Sequence, residues 1–64
     1  MGRFKEQDRV KVTGNSPRSG ESGTVHSQAL VGQGKDVIEC YWVKFLDGTA
    51  ELYNADDLEH EAQP

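Results

Sequence analysis

Along residues 8–13 the chain runs Asp8-Arg9-Val10-Lys11-Val12-Thr13, β-branched residues alternating with charged or polar ones at the two-residue period of a strand buried on one face. Val10 and Val12 are expected to point inward. Residues 14–23 have turn formers at nearly every position and no apolar face, which predicts a loop of about nine or ten residues, long enough to suggest a function. A weaker strand pattern resumes over residues 24–31 and is closed by a second turn at residues 32–36. The strongest strand follows over residues 37–46, dense in β-branched and aromatic types and free of glycine and proline. Asp47-Gly48 then predicts a two-residue hairpin turn, because glycine accepts the positive φ that such turns need. The partner strand is expected over residues 49–53. Residues 54–58 read as one 3₁₀ turn with Asn54 as its cap, before a short strand at residues 58–60.

Five short strands in so short a chain imply an all-β fold, a single five-stranded antiparallel sheet that curls into a small barrel and so hides most of its edges. Residues 1–6 form an N-terminal segment, residues 7–60 the barrel, and residues 61–64 a tail expected to fray. If Asp47 and Gly48 are the two loop residues, Phe45 faces Ala50, Lys44 faces Glu51, Val43 faces Leu52 and Trp42 faces Tyr53. Phe45, Ala50, Val43 and Leu52 then form the buried face. On the other face stand a Lys44/Glu51 ion pair and a Trp42/Tyr53 aromatic pair. Two roles are open to that aromatic pair. It is either an exposed platform for an extended peptide, a methylated side chain or a base, or a cover for one barrel end that meets the segment around Phe4.

The order strand, long loop, three-stranded meander, 3₁₀ turn, short strand resembles the SH3-like barrel superfamily. Asp8-x-Val10-x-Val12 followed by Gly14, Gly20 and Gly23-Thr24-Val25 is similar to the start of its KOW and Tudor-type members. In many such barrels the long first loop lines a binding groove, which makes Arg18 a candidate contact residue. The chain also resembles, in part, the type II dihydrofolate reductases, single barrels that assemble as tetramers around a shared pore. The resemblance rests on Asp8-Arg9-Val10, Ala50-Glu51-Leu52-Tyr53 and Leu58-Glu59. In that family a Val-Gln-Ile-Tyr strand lines the pore. Of those four positions only Tyr53 is kept here, and the family's lysine falls near Val12. Glu51 in place of the amide would set four carboxylates in a pore that must admit a polyanionic nicotinamide cofactor.

Charge sharpens the picture. The 64 residues include 7 Lys and Arg against 11 Asp and Glu, a net charge of -4. Residues 1–20 carry an excess of cations, whereas residues 45–64 carry six acids, Asp56 and Asp57 among them, and no Lys or Arg. Such a surface disfavours generic nucleic-acid binding and leaves Arg9, Lys11 and Arg18 as the one local patch for RNA. The acidic stretch either steers a basic partner or simply keeps the protein soluble.

Composition removes several chemistries. One cysteine, Cys40, forms no intramolecular disulfide and supplies a single thiolate. His26, His60 and Cys40 lack close ligand spacing, so no metal site is expected. The glycine-rich loop lacks the Gly-Lys-Ser/Thr ending and the following helix of a phosphate-binding loop. No apolar stretch is long enough for a membrane span or a signal-peptide core, and the lone thiol suits a cytoplasmic protein. A domain this small is marginally stable unless an oligomer supplements its core, so a monomer and a small homo-oligomer are both open.

The expectation is therefore a module without catalysis or cofactor that binds a protein partner, free or as an accessory subunit. Trp42 and Tyr53 would anchor it, Lys44 and Arg18 would flank the anchor, and Glu51, Asp56 and Asp57 would select a basic or amide-rich partner.

Overall fold

The computed structural model describes residues 3–61. Five strands, β1 (Arg9–Val12), β2 (Ser22–Val31), β3 (Ile38–Lys44), β4 (Ala50–Asn54) and β5 (Leu58–His60), form one antiparallel sheet in the order β4-β3-β2-β1-β5. Two 3₁₀ turns, Gly34–Asp36 and Ala55–Asp57, join β2 to β3 and β4 to β5. The all-β, antiparallel expectation with a 3₁₀ turn before the last strand is met. Asn54 makes no side-chain cap on that turn; its Oδ1 instead accepts from the Cys40 thiol at 3.5 Å.

β2 is long enough to serve two neighbours. Its first residues pair with β1, Val10 opposite Gly23, and the rest pairs with β3 from Thr24↔Lys44 to Val31↔Ile38, with a bulge between Val25 and Ser27. Gly23, expected in the loop, lies inside the strand. The bulge increases the local twist and lets one strand belong to both halves of the curled sheet. Beyond it the two strands run out as a hairpin arm, and the molecule measures 38 Å along its long axis against 19 Å along its short one.

Alternation places Val10, Val12, Val25, Tyr41 and Val43 on the inner face, where all are essentially fully buried. Phe45, Tyr53, Ala55 and Leu58 complete the core, and Phe4 closes one end of it. The Phe4 ring stands edge-on to Tyr41, with centroids 5.2 Å apart, and lies 4.6 Å from the His60 ring. Phe4 thus packs on these two rings. After β5, the Glu61 N–H donates to the Arg9 carbonyl at 3.0 Å and its carboxylate meets Arg9 at 3.2 Å and the Ser22 hydroxyl at 2.8 Å. Residues 62–64 of the expected tail lie outside the described residues.

The opposite end is closed by the long loop. Val12 bonds Glu21 and Gly20 through its N–H and carbonyl, and the Thr13 N–H reaches the Asp57 carbonyl at 2.7 Å. Arg18 then folds over the Phe45 ring at 4.4 Å and forks among Glu51 (2.9 Å), Asp47 (3.3 Å), Glu21 (3.3 Å) and the Thr49 hydroxyl (3.0 Å). The guanidinium ties the loop to the β3–β4 hairpin. Arg18→Ala is expected to lower the melting temperature, with Arg18→Lys recovering only part of the loss because an ammonium cannot fork among these partners. Thermal denaturation checks this; an Arg18→Ala protein that melts like the wild type contradicts the staple.

The β3–β4 connection departs from the two-residue expectation. Phe45 N–H donates to Thr49 O at 2.9 Å and Gly48 N–H to Phe45 O at 3.0 Å, so Leu46, Asp47 and Gly48 form a three-residue loop. Gly48 adopts φ +88°, as the closing residue of such a loop requires. The register is therefore shifted by one: Lys44 faces Ala50, Val43 faces Glu51, Trp42 faces Leu52 and Tyr41 faces Tyr53. A one-residue shift turns every β4 side chain to the other face.

Candidate functional site

Because Tyr41 and Val43 point inward, Trp42 between them points out, flanked by Ser27 on β2 and Leu52 on β4. Trp42 is 40% and Leu52 39% exposed. Toward the Lys44 end, His26, Ser27, Lys44 and Ala50 complete a shallow depression of about 430 Å³ around the indole. In the other direction Val31 and Ile38, both exposed, continue the apolar strip along the arm. Cys40 is part of this face but is buried against Asn54. A flat apolar strip with an exposed indole and one ammonium at its rim can hold an apolar or aromatic segment by area.

The other residues expected at the site stand elsewhere. The Trp42/Tyr53 pair does not form, since the shifted register turns Tyr53 into the core, where its ring meets Phe45 edge-on at 6.2 Å. The Tyr53 hydroxyl donates to Glu51 at 3.0 Å. Burial first, and then the neighbouring Glu51 carboxylate, push its pKa up. The Lys44/Glu51 ion pair is likewise absent, Glu51 being held by Arg18. Asp47, in the same cluster, is kept below the ordinary carboxylate value by the Thr49 hydroxyl and amide and then by Arg18. Arg18 is thus a structural clasp with its charge neutralised.

Asp56 pairs with Arg3 at 2.6 Å and borders a different cleft, with Val37, Ile38 and Glu39, that includes none of the residues around the indole. Asp57 sits beside Gly14 under the long loop. Glu39 accepts from the Tyr41 hydroxyl and from the Arg3 amide at 2.8 Å, and these two donors, the hydroxyl foremost, hold its pKa down. Asp8 is lowered chiefly by the Lys5 amide and further by His60, whose Nε2 lies 3.3 Å away. Asp56, Glu39 and Asp8 thus each have a structural partner for their carboxylates, and Asp57 is held through its carbonyl by the Thr13 N–H. Of the three cations expected to face RNA, Arg9 is paired with Glu61 and Arg18 with three carboxylates, which leaves Lys11.

Sequence reasoning missed Leu52, Ala50, His26 and Ser27 as neighbours of Trp42. Alternation within residues 50–54 alone does not choose between the Leu52 face and the Tyr53 face, because both carry an apolar residue. Among the described residues no group of three or more His, Cys, Asp and Glu is placed to hold a metal ion, and no helix is long and apolar enough to cross a membrane. No protein family, curated protein or solved structure matches this chain.

Proposed function

We propose that this chain is a protein-interaction module of the SH3-like barrel type that acts without catalysis, free or as a small accessory subunit, and takes an apolar segment of a partner protein on the outer face of β2, β3 and β4. The observation that carries this reading is the exposed Trp42–Leu52 pair at the centre of that face, since a large aromatic left 40% exposed in so small a domain is the usual anchor of a binding surface. Lys44 at the rim would meet an acidic group flanking the apolar segment. The acids Glu51, Asp56 and Asp57, expected to select a basic partner, are engaged with Arg18, Arg3 and the long loop and do not border the indole. Specificity for a basic partner is accordingly no longer part of the reading.

Two alternatives draw less support from the geometry. A pore of the dihydrofolate reductase kind would need Tyr53 free, and its ring is buried with the hydroxyl given to Glu51. An RNA surface would need Arg9 and Arg18 unpaired.

Trp42 is the sole tryptophan, so intrinsic fluorescence reports this face alone. On an array of immobilised peptides the wild type is expected to retain a subset rich in apolar residues, and those peptides in solution should shift Trp42 emission to the blue. Trp42→Ala is expected to keep the wild-type melting temperature to within a few degrees and to lose that subset, a drop in affinity of about thirtyfold or more for an anchor residue. An unfolded Trp42→Ala protein, or one that retains the same peptides, removes Trp42 from the binding role.

A further inference from the structure

Beyond the Trp42 face, and independently of it, we infer that the hairpin arm is a self-association edge, through which residues 26–31 of β2 pair antiparallel with the same residues of a second copy of this chain.

Three strand edges are open among the described residues. β4 and β5 end the sheet order, and β2 past Thr24 has β3 on one side only, because its pairing with β1 covers Arg9↔Thr24 to Lys11↔Ser22. The last β2 contact on that side is the Val25 exchange with Gln7 and Asp8. From residue 26 to residue 31, alternate N–H and C=O groups therefore turn to open space, a ready template for another strand.

The three edges differ in charge. β4 carries Glu51 and is bracketed by Asp47 and Asp56, while β5 carries Glu59 and is followed by Glu61. Two copies brought together along either edge would oppose like charges, the usual defence of an edge against pairing. No Asp, Glu, Lys or Arg occurs from residue 26 to residue 34. The side chains there are instead apolar and open, Leu30 being 67% and Val31 44% exposed, with Ile38 at 49% across from Val31. Glu39, opposite Leu30, is occupied by Tyr41 and Arg3.

An undefended edge, apolar flanks and the absence of charge coincide on the same six residues, and this selects the occupant. In a molecule of net charge -4, two copies repel least where neither brings charge to the contact, and the arm is such a place. A two-fold axis through residues 26–31 matches the edge with itself, consumes it in both copies and so closes the assembly as a dimer. The result is a continuous run of six strands across the two arms, β4-β3-β2-β2-β3-β4, with β1 and β5 of each copy still paired at the other end of β2 and both Trp42 residues still on the outer face. Contact along one arm buries little area, at the low end of specific interfaces, so the dimer should form reversibly in the micromolar range.

The test is sedimentation of the full chain from low micromolar to submillimolar concentration, beside Leu30→Lys/Val31→Lys and Trp42→Ala. The wild type and Trp42→Ala are expected to dimerise, whereas the lysine pair weakens the dimer about a hundredfold by bringing two cations per copy onto an edge that otherwise carries none. That loss would come although the two lysines reduce the net charge from -4 to -2, which by itself favours association. Both positions are exposed, and a lysine in place of Leu30 would face Glu39, so the variant should keep the wild-type circular dichroism. If it does not fold, hydrogen exchange on the wild type decides: amides of residues 27–31 should gain protection with rising concentration. A chain that stays monomeric throughout overturns the inference. So does a dimer that ignores the lysines but is dissociated by Trp42→Ala, which would mean that the outer faces stack.

Discussion

Tyr41→Ala is expected to remove much of the protein's stability. The ring is fully buried, stands edge-on to Phe4 and lies beneath the segment that closes the core. Truncating a buried aromatic to alanine costs about 3–5 kcal/mol, and a domain of this length has about 3–10 kcal/mol in total. The hydroxyl is a second, separable contribution. It donates to Glu39 and accepts from the Phe4 amide at 3.3 Å and from Gln28 Nε2 at 3.4 Å. Burial first, and then the Glu39 carboxylate, raise its pKa. Tyr41→Phe keeps the ring and strips three partners of their bond, a loss of about 1–2 kcal/mol. Urea denaturation of both variants separates packing from hydrogen bonding. A Tyr41→Ala protein within about 1 kcal/mol of wild type would mean that Tyr41 is not the centre of the core.

Gly23→Ala is the next largest effect, for a reason unrelated to backbone freedom. A Cβ at this position would lie 2.6 Å from Val43 Cγ1 and 2.8 Å from the Lys44 carbonyl oxygen. The obstruction includes main chain, so the strands themselves must part. The expected cost is about 2–3 kcal/mol, together with disturbed pairing at Val10↔Gly23. Gly48 gives the contrast. It has φ +88° but open space around a Cβ, so Gly48→Ala should cost only about 1 kcal/mol in conformational strain. Comparing the two by thermal or urea denaturation checks the account. Equal losses would mean that close approach at Gly23 is not what the sequence position selects.

Much of the fold is legible in the residues because it depends on local alternation. Val10 and Val12 are buried as the period-two pattern requires, β3 falls within the apolar stretch that predicts it, and β5 has the predicted limits. The register of β4 is different in kind. Asp47-Gly48 is compatible with a two-residue turn and with a three-residue loop that begins at Leu46, and one residue of difference exchanges the faces of Leu52 and Tyr53. What decides is tertiary. In the observed register Tyr53 fills the core beside Phe45, and Glu51 reaches Arg18 from the long loop, 33 residues away in sequence. No local pattern carries that contact.

The same limit applies to the site. Trp42 is legible as an outward residue because its neighbours Tyr41 and Val43 must be inside. Its companions are not, since Leu52 arrives through the register and His26 and Ser27 through a bulge in β2 that no glycine marks. The roles assigned to Arg18, Asp56 and Asp57 rested on exposure expected of charged residues in loops. Arg18 and Asp56 are instead spent on closing the fold, Arg18 over Phe45 and Asp56 on Arg3, while Asp57 contributes its carbonyl to the Thr13 N–H. The arm shows the converse. Leu30 and Val31 belong to a strand pattern in the sequence and are exposed because β2 outruns β1.

The most direct test of the binding face is an amide and indole NMR titration of uniformly labelled protein with a peptide that the array selects. The account predicts shifts confined to the Trp42 indole and the amides of Ser27, Lys44, Ala50 and Leu52, with the Arg18 loop and residues 55–57 unmoved. Shifts centred on Arg18, Asp56 and Asp57, with the Trp42 indole unchanged, would contradict it.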